Sequence, residues 1–171
     1  MAVGNLEFIK SASGTSVASL DVTNCFNADY DVYYISITKT DVTSNTYSYL
    51  RFLDSVGSVI SASEYDVAAL GLLSYGSFLE NRNTLQTSIR YIDLSGTSTE
   101  QGIGNSLYIF NPFNSSSYTF ITGQYSGHNS LGTAGGKIIG VHKSAEQITG
   151  INYLRAAGSF DSVTINVYGV K

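Results

Sequence analysis

Apolar and polar residues alternate with a period of two along several short stretches of this 171-residue chain. Val163, Ile165 and Val167 fall on one side of an extended backbone, and Ser162, Thr164, Asn166 and Tyr168 on the other. Tyr33, Ile35 and Ile37 alternate in the same way with Val32, Tyr34, Ser36 and Thr38. Ala18, Leu20 and Val22 alternate with Val17, Ser19, Asp21 and Thr23. Successive side chains of a strand point to opposite faces, so each stretch predicts a strand with one face buried and the other wet or paired. Leu107-Tyr108-Ile109-Phe110 is apolar on both faces. It predicts a central strand, or one whose outer face meets another subunit.

Further strands are expected at residues 6–10, 47–53, 85–94, 117–124, 137–143 and 148–154. Turn chemistry separates them at Ser55-Val56-Gly57-Ser58, Ser95-Gly96-Thr97-Ser98, Asn111-Pro112-Phe113-Asn114-Ser115, Gly123-Gln124-Tyr125-Ser126-Gly127 and Thr133-Ala134-Gly135-Gly136. Residues 63–80 fit either of two readings. Tyr65, Ala69, Leu72 and Leu79 approximate a helical period, but Gly71 and Gly76 each cost about 1 kcal/mol in a helix, so a loop plus a strand fits equally. No repeat and no linker divides the chain. Some nine to ten short strands in a single domain, 1–171, predict an all-β antiparallel sandwich, jelly-roll-like.

Composition changes the picture of the surface. Charged residues are only 13% of the chain, about half the usual quarter. Ser, Thr, Asn and Gly carry the polar share, with 13 Tyr and 8 Phe beside them. Aromatic content this high with little net charge argues against disorder. An uncharged, Tyr-rich exterior suits a protein covered by neighbours or facing sugars; good strand-surface residues account for it equally well. Nine scattered basic residues and a pI near 4.9 leave no phosphate-tracking patch, so no nucleic-acid partner is expected. No apolar run reaches the roughly 18 residues of a spanning helix, and the first residues lack the basic and apolar regions of a secretory signal. No membrane partner is expected.

The chemistry-bearing residues form no motif. Cys25 closes a strand signal with no base near it in sequence, and is expected to be a buried thiol. His142 shares a strand face with Ile138 and Gly140 and reads as a core or interface histidine; His128 follows Ser126-Gly127 in a loop. Their spacing gives no metal signature. Asn27-Ala28-Asp29-Tyr30-Asp31 offers alternate oxygens but lacks the glycine and distal glutamate of a calcium loop, and an Asx turn explains it as well. Gly132 to Lys137 misses the phosphate-loop spacing and precedes a strand, and Gly102-Ile103-Gly104 is a lone G-x-G. Asn114-Ser115-Ser116 matches a glycosylation acceptor, which has no meaning without a secretory route. Asp54, Glu64, Asp66, Glu80 and Asp93 are spread too thinly to single out a catalytic pair. No enzyme activity, cofactor or metal is expected.

The C-terminal segment has a different character. Glu146-Gln147-Ile148-Thr149-Gly150-Ile151, the turn Ala156-Ala157-Gly158-Ser159, and then Phe160, Ile165, Val167-Tyr168-Gly169-Val170 and Lys171 resemble the ending of many small tailed-bacteriophage virion proteins. Asp31 to Ile37, Arg51 to Ile60 and Tyr108 to Phe113 are similar to segments of the same set. The resemblance implies a β-sandwich on the surface of a phage particle, particularly of aquatic phages. It implies a subunit that decorates or cements the capsid, or builds a neck, tail or fibre. It carries no catalytic residues. Its implied partners are copies of itself, with a homotrimer as the first expectation, and other virion proteins. Tyr33, Tyr34, Tyr108, Phe113, Tyr118 and Tyr168 are the candidate interface residues. The alternative is an adhesion module for a host surface glycan, with Tyr125, His128 and Asn129 as the candidate contact loop; the absence of Trp weakens it.

Overall fold

The computed structural model describes residues 5–90, 96–98 and 100–171, the side chain of Lys39 excepted. Twelve strands follow one another within them: β1 (Leu6–Val17), β2 (Ser19–Val22), β3 (Val32–Val42), β4 (Ser48–Leu53), β5 (Tyr65–Leu73), β6 (Leu79–Gln86), β7 (Ile89–Arg90), β8 (Ile103–Phe110), β9 (Thr119–Asn129), β10 (Gly132–His142), β11 (Gly150–Arg155) and β12 (Phe160–Val170). They form an eight-stranded sheet, β1-β12-β3-β8-β9-β10-β5-β6, and a four-stranded sheet, β2-β11-β4-β7.

Leaving aside the hairpins β5–β6 and β9–β10, the other eight strands pair as β1 with β12, β2 with β11, β3 with β8 and β4 with β7. All four pairs are antiparallel, and they fall alternately in the large and the small sheet. This is the wrapping of a jelly roll, two four-stranded sheets enclosing one core. The two extra hairpins continue the large sheet outward from β8. They account for much of the rise in strand number to twelve.

The alternating positions supply the core. Tyr33, Ile35 and Ile37 of β3, Leu107 and Ile109 of β8, and Val163, Ile165 and Val167 of β12 face inward from the large sheet. Val22, Leu50, Phe52, Ile89, Ile151 and Tyr153 meet them from the small one. At roughly 1.5–3 kcal/mol for each fully buried large apolar side chain, this two-sided core supplies the stability that no staple provides. The alternation over residues 17–23 is split between the sheets. Ser16 takes a positive φ of 55°, and the chain passes at Ala18 from β1 in the large sheet to β2 in the small one.

Residues 63–80 hold a strand, a turn and the start of a second strand. Tyr65, Val67 and Ala69 point inward, and Gly76 lies in the connection. Two expected turns are strand interior instead. Gly123 to Gly127 lies within β9, and Thr133 to Gly136 within β10. Close backbone approach explains the glycines there. A Cβ at Gly123 would lie 2.6 Å from the Ser106 carbonyl oxygen of the neighbouring strand. The actual hairpin loop is the two-residue Ser130-Leu131, where the Asn129 Oδ1 accepts from the Leu131 and Gly132 N–H groups at 2.8 and 3.2 Å.

The other turns stand where expected. Asp54 Oδ1 accepts from the Val56 and Ser58 N–H groups at 2.9 and 2.8 Å around Gly57, which has φ 83°. Asn114 Oδ1 accepts from the Ser116 N–H at 2.9 Å, and Gly158 turns with φ 73°. Of the strand expected over 85–94, Leu85 and Gln86 belong to β6, Thr87 and Ser88 form a bend, Ile89 and Arg90 form β7, and residues 91–94 lie outside the described residues, as does Ser95 of the turn expected after them.

Candidate functional site

Register turns the outward positions of the large sheet into rows running from edge to edge. One row reads Phe8, Tyr168, Tyr34, Tyr108, Thr122, Ile139, Ala68, Arg82, with every neighbour a direct cross-strand partner. Its first four members form an aromatic ladder. Phe8 and Tyr168 meet edge-on with centroids 5.7 Å apart; Tyr168 and Tyr34 are 5.9 Å apart, and Tyr34 and Tyr108 5.3 Å. Aromatic cross-strand contacts of this kind stabilise a sheet beyond their burial. A register shift between Phe8 and Lys10 lets Phe8 face outward while Ile9 packs against the core. The next row adds Val32, Phe110, Phe120 and Val141.

Together these side chains make one half of the outer face apolar. Phe8 is 59% exposed, Ile139 61%, Phe120 46% and Tyr108 41%. An open groove of about 750 Å³ crosses this half, lined by Phe110, Phe120, Thr122, Ile139, Val141 and Arg82 among others. The row two positions away along the strands reads Ser11, Asn166, Ser36, Ser106, Gln124, Lys137, Leu70, Glu80. That half is polar from β1 to β10, whereas on β5 it exposes Leu70 and Leu72.

The C-terminal residues that carried the resemblance each have a physical task beside the ladder. Tyr168 is a ladder ring, and Val170 is the register partner of Leu6. A Cβ on Gly169 would lie 2.5 Å from ring atoms of Tyr30, so only glycine leaves that ring its place. The Lys171 ammonium pairs with the Glu7 carboxylate, and the Lys171 backbone N–H donates to the Asn5 carbonyl at 3.0 Å. Hydrogen bonds from Lys171 and Tyr30 hold the Glu7 carboxyl below its usual value, and the Glu7 carboxylate in turn raises Lys171.

The structure sorts the candidate interface residues. Tyr34, Tyr108 and Tyr168 come together in the ladder, and Tyr118 is exposed just before β9. Tyr33 is not on the surface: it is fully buried, its hydroxyl donates to the Asn27 carbonyl at 2.9 Å, and burial pushes that hydroxyl up to about 12. Phe113 is half-buried against the core. The expected glycan-contact loop is strand. Tyr125 points inward and is buried over Gly136, and Asn129 is buried with its side chain closing the hairpin and donating to the Tyr75 hydroxyl at 2.9 Å. His128 alone of the three is exposed, on β9 rather than in a loop. Phe110 lies on the outer face of the strand expected to be apolar on both sides, whereas Phe8, Phe120, Ile139 and Val141 were not foreseen as part of this surface.

Among the described residues, one further cluster brings chemistry-bearing side chains together. His142, fully buried at the end of β10, directs Nε2 toward Glu64 Oε2 at 3.1 Å and Glu146 Oε1 at 3.6 Å. The rings of Tyr65 and Phe52 pack on its imidazole at 4.9 and 6.0 Å. Burial pushes the Tyr65 hydroxyl well above its usual value. Cys25 is buried, its thiol donates to the Val22 carbonyl at 3.3 Å, and burial raises it to about 12, so it is no nucleophile. The Asn27 to Asp31 segment is an Asx turn, with the Asn27 Oδ1 accepting from the Asp29 N–H at 3.0 Å.

No protein-family model matches the chain, and no curated protein matches it. Among solved structures it is similar to a single mutant of congerin II, with 12% identity over 92% of this chain and 99% of that one and a TM-score of 0.34. It is also similar to the CspB protease of Clostridium perfringens, with 8% identity over 94% of this chain and 25% of that one and a TM-score of 0.27. A green fluorescent protein of Branchiostoma lanceolatum gives 9% identity over 91% and 96%, with a TM-score of 0.27. These scores are too low to carry any inference about role.

Proposed function

We propose that this chain is a non-enzymatic structural subunit of a tailed-bacteriophage virion, on the capsid surface or at a neck or tail appendage. It works by burying the aromatic half of its outer sheet face against further copies of itself. The observation that carries this reading is the ladder and its apolar neighbours. Aromatic side chains present about 150–250 Å² each, so Phe8, Tyr108, Phe120 and their partners expose several hundred Å² of contiguous apolar surface. That is comparable to the roughly 300–600 Å² of the largest patch on a typical monomer, which is often functional. It would form the centre of the roughly 800 Å² that each partner buries in a standard interface.

The low charge, the jelly-roll wrapping and the phage-like C-terminal segment support the virion setting by analogy, since a fold alone hosts many functions. A homotrimer is the expected assembly. A sugar-binding alternative finds less support. The polar half has a shallow cleft beside Ser106, Gln124 and Ser126, but Tyr125 there is buried and offers no face for a sugar to stack on.

The test is sedimentation of the purified chain at micromolar concentration. Wild type is expected to self-associate. A Phe120→Ser/Ile139→Ser variant, altered at two exposed positions, is expected to run as a monomer with an unchanged melting temperature. A wild type that stays monomeric, in a chain whose gene neighbours encode no capsid or tail protein, removes the proposal.

A further inference from the structure

Glu64, His142 and Glu146 bring three ligand atoms within 4.8 Å of one another. The sequence hides this, because Glu64 and His142 are 78 residues apart. The fold builds it from three directions. Tyr65 and His142 are register partners at the end of the β5–β10 ladder, which sets Glu64 beside the imidazole. The Lys143 N–H donates to the Glu64 carbonyl at 2.8 Å and fixes that backbone. The segment carrying Glu146 is tied down by the Ile148 N–H on the Pro112 carbonyl at 2.8 Å and the Thr149 hydroxyl on the Asp54 carbonyl at 2.6 Å.

A plain ion pair leaves this arrangement incomplete. One Nε2–H reaches the Glu64 carboxylate at 3.1 Å, whereas Glu146, at 3.6 Å, is beyond hydrogen-bond distance. Two carboxylates then converge on one donor. The adjacent ammonium of Lys143 is committed to Asp66 at 2.9 Å, and no Lys or Arg among the described residues is ion-paired with Glu64 or Glu146. A divalent ion satisfies both carboxylates at once. Metal–nitrogen and metal–oxygen bonds of about 2.0–2.2 Å in a tetrahedral site put neighbouring ligand atoms about 3.3–3.6 Å apart. The two separations from Nε2 match this within a few tenths of an ångström.

We propose that Glu64, His142 and Glu146 form a binding site for Zn²⁺, with water completing the coordination on the side where both glutamates are about a third exposed. One imidazole with two carboxylates selects a borderline ion. Ca²⁺ requires six to eight oxygens, which this set does not offer. The site clasps the start of β5 to the end of β10. The His142 Nδ1 has no hydrogen-bond partner among the described residues, so no outer partner fixes the ring from that side and the packing of Tyr65 and Phe52 does so instead. Outer partners of a ligating histidine are worth about 10–100-fold in affinity, so binding is expected in the micromolar rather than the nanomolar range. The site is independent of the assembly surface, and either can fail without the other.

The test is calorimetric titration of chelator-stripped protein with zinc chloride, with calcium chloride as competitor. One Zn²⁺ per chain, bound at micromolar affinity and not displaced by calcium, is expected. Glu146→Gln, at a part-exposed position, is expected to weaken binding about ten-fold or more while leaving the metal-free melting temperature unchanged. His128→Ala is expected to change nothing. The proposal is overturned if zinc binds only at millimolar levels, if Glu146→Gln binds as tightly as wild type, if calcium displaces the zinc, or if His128→Ala abolishes the binding.

Discussion

The outer face of the large sheet carries aromatic side chains in one half and polar ones in the other on its central strands. On β12, β3 and β8 the outer face carries Tyr168, Tyr34 and Tyr108 in one row and Asn166, Ser36 and Ser106 in the row two positions along. The strands, the backbone pairing and the side of the sheet are the same. The alternation rule fixes which side chains point outward, but it does not say what outward means. Here one half of the outside is built like an inside, with rings in van der Waals reach of one another, and the other half is built for water. On these three central strands the boundary is one residue pair wide, which points to a surface divided between two environments.

Substitutions matched across that boundary are the sharpest way to break the comparison. The largest effect is expected at Gly169, an inward position beneath the aromatic half that pairs with the buried Tyr33. Even a Cβ there collides with the Tyr30 ring at 2.5 Å, so Gly169→Val is expected to cost about 3 kcal/mol, the upper end of overpacking penalties, in chemical denaturation. Asn166→Val, three residues back on the polar half of the same strand, should stay within about 0.5 kcal/mol. Equal losses at the two positions would show that the layer beneath the rings is no more tightly packed than the polar half.

A smaller effect is expected from Tyr108→Ser, which removes one ring from the ladder. Self-association should weaken by about 2 kcal/mol, the scale of an interface hot spot, whereas Ser106→Ala on the same strand should leave it unchanged. Sedimentation reads both, and equal behaviour would place the contact elsewhere.

The smallest effect is electrostatic, at the margin of the aromatic half. Glu7 is lowered and Lys171 raised, chiefly by their mutual hydrogen bond. The lowered carboxyl contributes stability above its unfolded value of about 4.3, lost as pH falls through the folded value. The raised ammonium contributes below about 10.4, and that is lost as pH rises through its folded value. The melting-temperature gap between wild type and Glu7→Gln should therefore close at both ends of the pH scale and shrink with added salt, since the pair is exposed. A gap independent of pH would show that the pair does not act this way.

Much of the jelly roll is legible in the sequence because its core strands alternate cleanly, as Val163, Ile165 and Val167 do, and because Gly57 and Gly158 mark turns that need a positive φ. The β9–β10 hairpin is not, because Gly123 and Gly136 read as turn residues although they serve strands that neighbouring atoms approach closely. The ladder is half legible. Tyr34, Tyr108 and Tyr168 announce themselves as aromatics at outward positions, but Phe8 joins them only through the register shift beside it, which local pattern does not encode. Asn129 misleads for a different reason: a polar side chain in a Gly-Ser setting reads as a surface contact, yet its hydrogen bonds go to its own hairpin. The Glu64, His142 and Glu146 cluster is assembled by strand pairing across 78 residues, a distance at which spacing carries no signal.

The single thiol of the chain, Cys25, is shut away in the core with its proton held far above neutral pH. Maleimide or nitroxide reagents added to the native protein will therefore find nothing to modify. A cysteine introduced at Ser106 or at Tyr108 becomes the sole attachment point for a fluorophore or spin label. Reporters at those two addresses, read in the isolated chain and in whatever particle takes it up, would map which side of the divided surface loses its contact with solvent.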